Sequence, residues 1–295
     1  MSNDEDSTGR HHPTDLRLGA PMRSRGRTGL DVAGALTLVT GAGSGIGRAT
    51  AHALAARGAR VIAVDIDGDT VKATAGEVDG LPYVADVADR RSVQDLADAI
   101  EADHGPLDVL VNNAGVGMSG RFLDTGLPDW DWILGVNVHG VINGCHAFGP
   151  GMVERGRGHV VNVSSALGYF PRATEPAYVT TKAAVLSLSR CLRADWATAG
   201  VGVSAVCPGV IDTAIVDRTR FLGERSRPET VRRVRDTFSR RGHAPSKVAR
   251  AIVHAIRHDR AVVPVGPAAW AGWLTRGVVP SRVADRLAAT SVGGV

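Results

Sequence analysis

Apolar residues recur along this chain in two alternating rhythms. Short runs rich in β-branched residues, at 36–40, 60–64, 107–111, 159–163 and 201–207, read as buried strands. Between them, 46–57, 90–104 and 176–199 place apolar residues at helical spacing. Strands that alternate with helices imply a parallel sheet covered on both faces, an α/β doubly wound architecture. Residues 1–33 are polar and show neither period, so a disordered tail is predicted there. A single domain is expected over 34–265, with a last short strand near Val262. An apolar, Trp-containing extension follows over 266–295, read as packing or oligomer contact.

Composition narrows the partners. With 295 residues and 44% hydrophobic content the chain can bury one large core. A net charge of +4, without any helix-turn-helix, zinc-finger or RNA-stacking signature, gives no case for nucleic acid. No run of eighteen apolar residues is present, so no membrane insertion is expected. Cys145, Cys191 and Cys207 are odd in number and show no C-x-x-C spacing, which suits packed thiols in a cytoplasmic protein. The ten histidines lack both H-E-x-x-H and a cysteine at ligand spacing, and no metal is expected.

In a doubly wound sheet, ligands bind beyond the carboxyl ends of the strands, where strand order reverses. The first strand runs into Thr40-Gly41-Ala42-Gly43-Ser44-Gly45-Ile46-Gly47, with a helix opening at Ile46. Glycines there let the backbone turn tightly and approach a pyrophosphate, whose charge suits the free N–H groups of a helix N-terminus. The alternative is merely a tight loop. The second strand ends at Asp65, where a carboxylate can accept from an adenosine ribose diol or simply be a solvated turn residue. Asn112 and Asn113 follow the fourth strand, and the pair is read as structural before functional.

Tyr178 and Lys182 stand at i and i+4 on a predicted helix, and so share a face. Three tyrosines and three lysines in the whole chain make such a pair an uncommon accident. At a separation near ~4 Å and a dielectric of about 20, the ammonium would favour phenolate by roughly 4 kcal/mol, about three pKa units, before screening. Tyr178 is therefore expected to be lowered toward a working acid/base. Ser165 ends the fifth strand, while Ser164, alternated to the other face, is expected to be indifferent. Asn137 is a poor mid-helix residue, read as part of the site or as a buried hydrogen bond.

Together these motifs resemble the classical short-chain dehydrogenase/reductase family over about residues 34–265. The resemblance implies a Rossmann fold and the catalytic set Asn137, Ser165, Tyr178 and Lys182. It implies cofactor contacts from Gly41, Gly43, Ser44, Gly45, Ile46, Gly47, Asp65, Asp86, Val87, Asn113, Ala114, Gly115, Tyr178 and Lys182. Beyond the sixth strand it adds Pro208, Gly209, Ile211 and Thr213. The expected activity is hydride transfer between NAD, rather than NADP, and a small alcohol or ketone. Rivals are an epimerase or dehydratase that keeps its nucleotide, and a nucleotide sensor without turnover. Met118, Leu167, Tyr169, Phe170, Ile215 and Phe221 are the expected substrate lining, and their apolar character suggests an apolar substrate, while the arginines from Arg218 to Arg235 read as a solvated lid or leave room for an acidic handle such as a thioester carrier. A homo-oligomer, tetramer or dimer, is implied as well.

Overall fold

The computed structural model describes residues 29–289. Strand β1 (Leu36–Thr40) leads through the Gly-rich turn into helix α1 (Gly45–Ala55), then β2 (Arg60–Asp65), α2 (Gly68–Glu77), β3 (Leu81–Val84) and α3 (Arg90–His104). The second half runs through β4 (Val109–Asn112), a short β5 (Gly117–Ser119), α4 (Leu127–Leu134), α5 (Gly140–Glu154), β6 (Gly158–Val163), α6 (Pro176–Asp195) and β7 (Val201–Pro208). Then come a second short strand β8 (Thr219–Phe221), α7 (Pro228–Arg241), α8 (Pro245–Arg257), β9 (Val262–Val265), α9 (Pro267–Thr275) and α10 (Ser281–Ala289). Seven strands form one parallel sheet in the order β3-β2-β1-β4-β6-β7-β9, and β5 pairs with β8 in a separate two-stranded ribbon. Strand order reverses between β1 and β4, which hydrogen-bond to each other there. That reversal sets the crevice.

The strands alternate their apolar residues between two cores, as a sheet buried on both faces requires. Val39, Val109, Val111 and Val161 face one layer with Leu54, Ile252 and Ile256. Leu36, Leu38, Leu110 and Val160 face the other, with Leu96, Ile100, Met152 and Val185. Each such fully buried Leu or Ile contributes roughly 1.5–3 kcal/mol. Between the strands the Asn112 amide donates to Asn162 Oδ1 at 2.9 Å, and the Asn162 amide donates to Ser189 Oγ at 3.0 Å. The structural reading of Asn112 is thereby given its partners.

Residues 1–28 of the expected tail lie outside the described residues, but 29–33 are packed rather than loose. Leu30 N–H donates to the Ile256 carbonyl at 3.1 Å, and Val32 is buried in the first core. A two-residue contact has no period to reveal it in the sequence. Within the extension, Trp273 packs on Tyr169 with ring centroids 5.5 Å apart, and residues 290–295 lie outside the described residues. Three elements had no clear sequence signal: β5 and β8, only three residues each, and the strongly basic α7.

At the amino-terminal edge of the sheet, Arg193 forms a fork on Asp259, with Nη1 to Oδ1 at 2.7 Å and Nη2 to Oδ2 at 2.9 Å. Asp259 is only 9% exposed. Removing the guanidinium leaves a buried carboxylate without this partner, which costs about 3–5 kcal/mol. Arg193→Met should accordingly lower the urea midpoint strongly, whereas Arg91→Met, at an exposed ion pair with Asp95, should shift it little.

Candidate active site

Two glycines give the turn after β1 its shape. Gly41 has φ +65°, where a side chain would be strained, and a Cβ on Gly47 would stand 2.0 Å from the Gly41 carbonyl oxygen. Ser44, at the N-cap of α1, makes no side-chain cap, so its hydroxyl leaves the first-turn N–H groups open toward the crevice. The facing strand end closes on this turn. Thr40 Oγ1 accepts from the N–H groups of Asn113 and Ala114, both at 3.0 Å, and the Asn113 amide donates to the Thr40 carbonyl at 2.8 Å. Asn113 therefore braces the crevice with its side chain while presenting its backbone to it.

Asp65 is 4% exposed and accepts from the N–H of Gly43 at 2.9 Å and of Asp67 at 3.2 Å. Its carboxylate lies at one end of the Gly-rich turn rather than in a solvated bend. Asp86 is exposed and accepts from Ala88 N–H at 2.9 Å; the Val87 carbonyl accepts from the Asn143 amide at 2.9 Å. Both follow β3, next to β2. From β7 the chain passes Gly209, whose N–H donates to Val265 at 3.0 Å, and the buried Ile211. Thr213 then lies over Gly45, its Cγ2 3.2 Å from the point where a Cβ would stand. The crevice is thus flanked by the Gly-rich turn, Asp65, the Asn113–Gly115 backbone and the Pro208–Thr213 segment. Such a cradle, with open N–H groups and no side chain on Gly41, fits a dinucleotide.

At its far end the structure brings Ser165, Tyr178, Lys182 and Asn137 together. Ser165 Oγ accepts from Leu167 N–H at 3.1 Å and shares a hydrogen bond with the Tyr178 hydroxyl. Lys182 is 5% exposed and donates to the Val163 carbonyl at 3.1 Å. Burial holds its pKa down to about 8. The expected lowering of Tyr178 is not what this arrangement gives. Burial pushes its hydroxyl up to about 12, opposed by the Ser165 hydrogen bond and aided by the nearby Glu175 carboxylate. The Lys182 ammonium lies over the Tyr178 ring, 5.7 Å from its centroid. Desolvation outweighs the neighbouring charge here.

Asn137 falls in a π-helical turn, Gly135–His139, between α4 and α5. The widened turn points its side chain inward. Its Oδ1 accepts from Val116 N–H at 2.8 Å, and its amide donates to the Val116 carbonyl at 3.0 Å and to Thr181 Oγ1 at 3.1 Å. Both Asn137 Oδ1 and Lys182 Nζ border the space over Gly115, at 3.2 and 3.4 Å from where its Cβ would be. The buried hydrogen bond and the site position, alternatives on sequence, coexist. On the other face Ser164 has a structural contact: its hydroxyl donates to the Lys182 carbonyl at 2.7 Å and so ties α6 to β6.

The expected substrate lining is only partly gathered. Met118 is buried among Trp130, Trp132, Leu222 and Tyr178, and Phe221 lies on the adjoining ribbon strand. Leu167, Phe170 and Ile215 are half-buried. Tyr169 turns toward Trp273, and its buried hydroxyl lies beside the Cys207 thiol. Residues that the motifs did not disclose include Thr40, Thr181 and Glu175. The histidines include one pair four apart, His254 and His258, passed over on sequence and stacked at 4.2 Å. Among the described residues no three potential ligands gather to hold a metal, and no helix is long and apolar enough to cross a membrane.

Residues 35–221 match the family model described as short chain dehydrogenase. A Mycobacterium tuberculosis protein named probable oxidoreductase EphD is 47% identical over 258 residues, which is 84% of this chain and 44% of that protein. The chain thus spans less than half the length of this relative. The D-threitol dehydrogenase of Mycolicibacterium smegmatis is 39% identical over 187 residues, 62% of this chain and 72% of its own. Among solved structures, a short-chain dehydrogenase/reductase from Burkholderia phymatum in complex with NAD superposes with a TM-score of 0.74 at 32% identity, covering 82% of this chain and 92% of that one. A short-chain dehydrogenase from Streptomyces avermitilis gives 0.76 at 30% identity, covering 88% and 96%.

The Asn137 contacts carry a stability consequence that needs no ligand. Asn137→Ala removes the side-chain partners of the Val116 N–H and carbonyl, each part-buried, and should lower unfolding free energy by about 1–3 kcal/mol. Urea denaturation of the unliganded chain checks it, and an unchanged midpoint would show that Asn137 is dispensable to the fold.

Proposed function

Since the chain belongs to the short-chain dehydrogenase/reductase family, we propose that it is an NAD-dependent oxidoreductase acting on a secondary alcohol or ketone with an apolar body. The observation that carries this reading is the Tyr178 hydroxyl, hydrogen-bonded to Ser165 with buried Lys182 beneath its ring, at the end of the nucleotide-shaped crevice. Bound NAD supplies or accepts the hydride. Everything else falls to the side chains.

Ser165 and Tyr178 hold the substrate oxygen between two hydroxyls. In reduction, Tyr178 gives its proton to that oxygen as negative charge develops there; in oxidation it takes the proton back. Burial keeps the phenol protonated near neutrality, the form that donates in reduction. Lys182 holds a positive charge near the phenol and a nicotinamide ribose, and Asn137 keeps the Val116 backbone in place beside it. The Gly41–Gly47 turn would receive the pyrophosphate, and Asp65 the adenosine ribose. Assembly into a homo-oligomer and a cytoplasmic location belong to the same reading, supported by the exposed apolar Leu127 and Ile142 on α4 and α5 and by the three free cysteines.

Tyr178→Phe should lower turnover by about 10² to 10⁴ while leaving NAD affinity near its starting value. The pH profile follows from two groups. Lys182 loses its proton as pH rises through about 8, while Tyr178 keeps its own to about 12. The kcat/KM for ketone reduction should therefore be flat up to about pH 8 and fall above it, whereas alcohol oxidation should rise over the same range. Initial rates in both directions from about pH 6 to 10 measure this; two profiles that move in the same direction would rule the assignment out.

NAD should be preferred over NADP. The Asp65 carboxylate would repel a 2′-phosphate, and Arg48 is committed to Glu77 at 3.0 Å. A repulsion of a few kcal/mol corresponds to roughly 10² in kcat/KM. The double change Asp65→Ser with Ile66→Arg should move preference toward NADP, and equal use of both cofactors by the unaltered protein would remove Asp65 from the ribose.

A further inference from the structure

Tyr178 packs with an apolar cluster, Met118, Trp130, Trp132, Ile133 and Leu222, of which Met118 and Ile133 are buried and Trp130, Trp132 and Leu222 half-buried. At the rim, three segments are stitched together around Ser119. Leu222 N–H donates to the Ser119 carbonyl at 2.8 Å, Gly120 N–H donates to the Thr174 carbonyl at 2.9 Å, and Arg225 Nε–H donates to the Ser119 hydroxyl at 3.0 Å. Ser119 is 4% exposed, so it holds the guanidinium against a rigid strand instead of leaving it to solvent. The side chain of Arg225 is half-buried. Among the described residues no acceptor takes its two Nη groups.

The charges around it do not balance. Arg172, Arg233 and Glu175 all act on Arg225, and Glu175, the sole carboxylate among them, is already paired with Arg172 at 3.4 Å. Among the described residues Arg225 forms no ion pair of its own. Glu175 also acts on Tyr178, three residues on, so the guanidinium and the phenol flank the same group. A solvated arginine would turn outward, where its hydration is complete. Arg225 is instead held partly desolvated next to two like charges, a cost that an oxyanion would reverse by accepting from both free Nη groups at once.

We propose that Arg225 anchors an anionic group of the substrate, which is then an amphipathic hydroxy or oxo compound with its reacting carbon at Tyr178, an apolar middle over Met118 and Leu222, and a carboxylate or phosphate at the rim. The position of the reacting carbon rests on the oxidoreductase reading above. The anion subsite is open to test without turnover.

Calorimetry on the NAD-loaded full chain would compare octanoate, octyl phosphate and the neutral octanamide. An anion should bind about ten- to hundredfold more tightly than the amide, the worth of a charge-assisted hydrogen-bonded pair. Whichever of octanoate and octyl phosphate binds more tightly identifies the group. Arg225→Gln should abolish the difference, Arg225→Lys should keep part of it, and Arg232→Gln, an exposed arginine of α7, should keep it all. A preference that survives Arg225→Gln, falls equally with Arg232→Gln, or is absent from the unaltered protein overturns the proposal. In a second arm, an eight-carbon oxo acid and its methyl ester are offered with NADH, and the acid-to-ester ratio in kcat/KM should fall toward one in Arg225→Gln. Anion binding without turnover of any alcohol or ketone would sink the oxidoreductase reading and leave the subsite standing. Equal turnover of acid and ester would do the reverse.

Discussion

The seam where β1 and β4 part company is the constraint on which the other features depend. A parallel sheet must hydrogen-bond these two strands along their length and yet release both chains to opposite sides at their carboxyl ends. Thr40 manages the transition with one hydroxyl that accepts from two successive N–H groups, of Asn113 and Ala114, and the Asn113 amide returns a bond to Thr40. The same amide reaches the Gly41 carbonyl at 3.3 Å, the oxygen that leaves no room for a side chain on Gly47. The crevice is therefore not a gap between elements. It is a fixed opening whose two lips are bonded to each other at the root.

From that root the chemistry at the far end is a competition between burial and charge. Removing water from Lys182 disfavours its ammonium, and removing it from Tyr178 disfavours its phenolate, so desolvation drives the two values apart. An ammonium directly against the phenol oxygen would have drawn them together. Lys182 lies over the ring and donates to the Val163 carbonyl. Its charge is available instead to whatever enters the crevice.

This explains which parts of the molecule were legible in the sequence. The sheet and its helices were, because apolar periodicity is a local property: Leu36–Thr40 and Arg90–His104 have the predicted bounds. The Tyr178–Lys182 pair was visible for the same reason, since i and i+4 fix a shared face. The direction of the Tyr178 shift was not, because it depends on burial supplied by segments far away in the chain. Ser164 illustrates the point on a smaller scale. Alternation correctly sends it away from Ser165, but only the packed helix shows that the Lys182 carbonyl waits on that side. Arg225 was one arginine in a basic stretch until the β5–β8 ribbon placed Ser119 against it.

The buried fork between Arg193 and Asp259 lies at the opposite end of the sheet from the crevice, near the first residues of β6 and β7, with His159 and Ser204 hydrogen-bonded at 2.8 Å close by. Part of the cohesion is therefore housed at the end of the strands opposite the chemistry. A lineage carrying this scaffold is free to rewrite the rim around Ser119, Arg225 and α7 by trial and error, since faulty drafts there leave the keystone at the other end untouched. Diversification of what the protein accepts and conservation of its shape can proceed on separate evolutionary clocks.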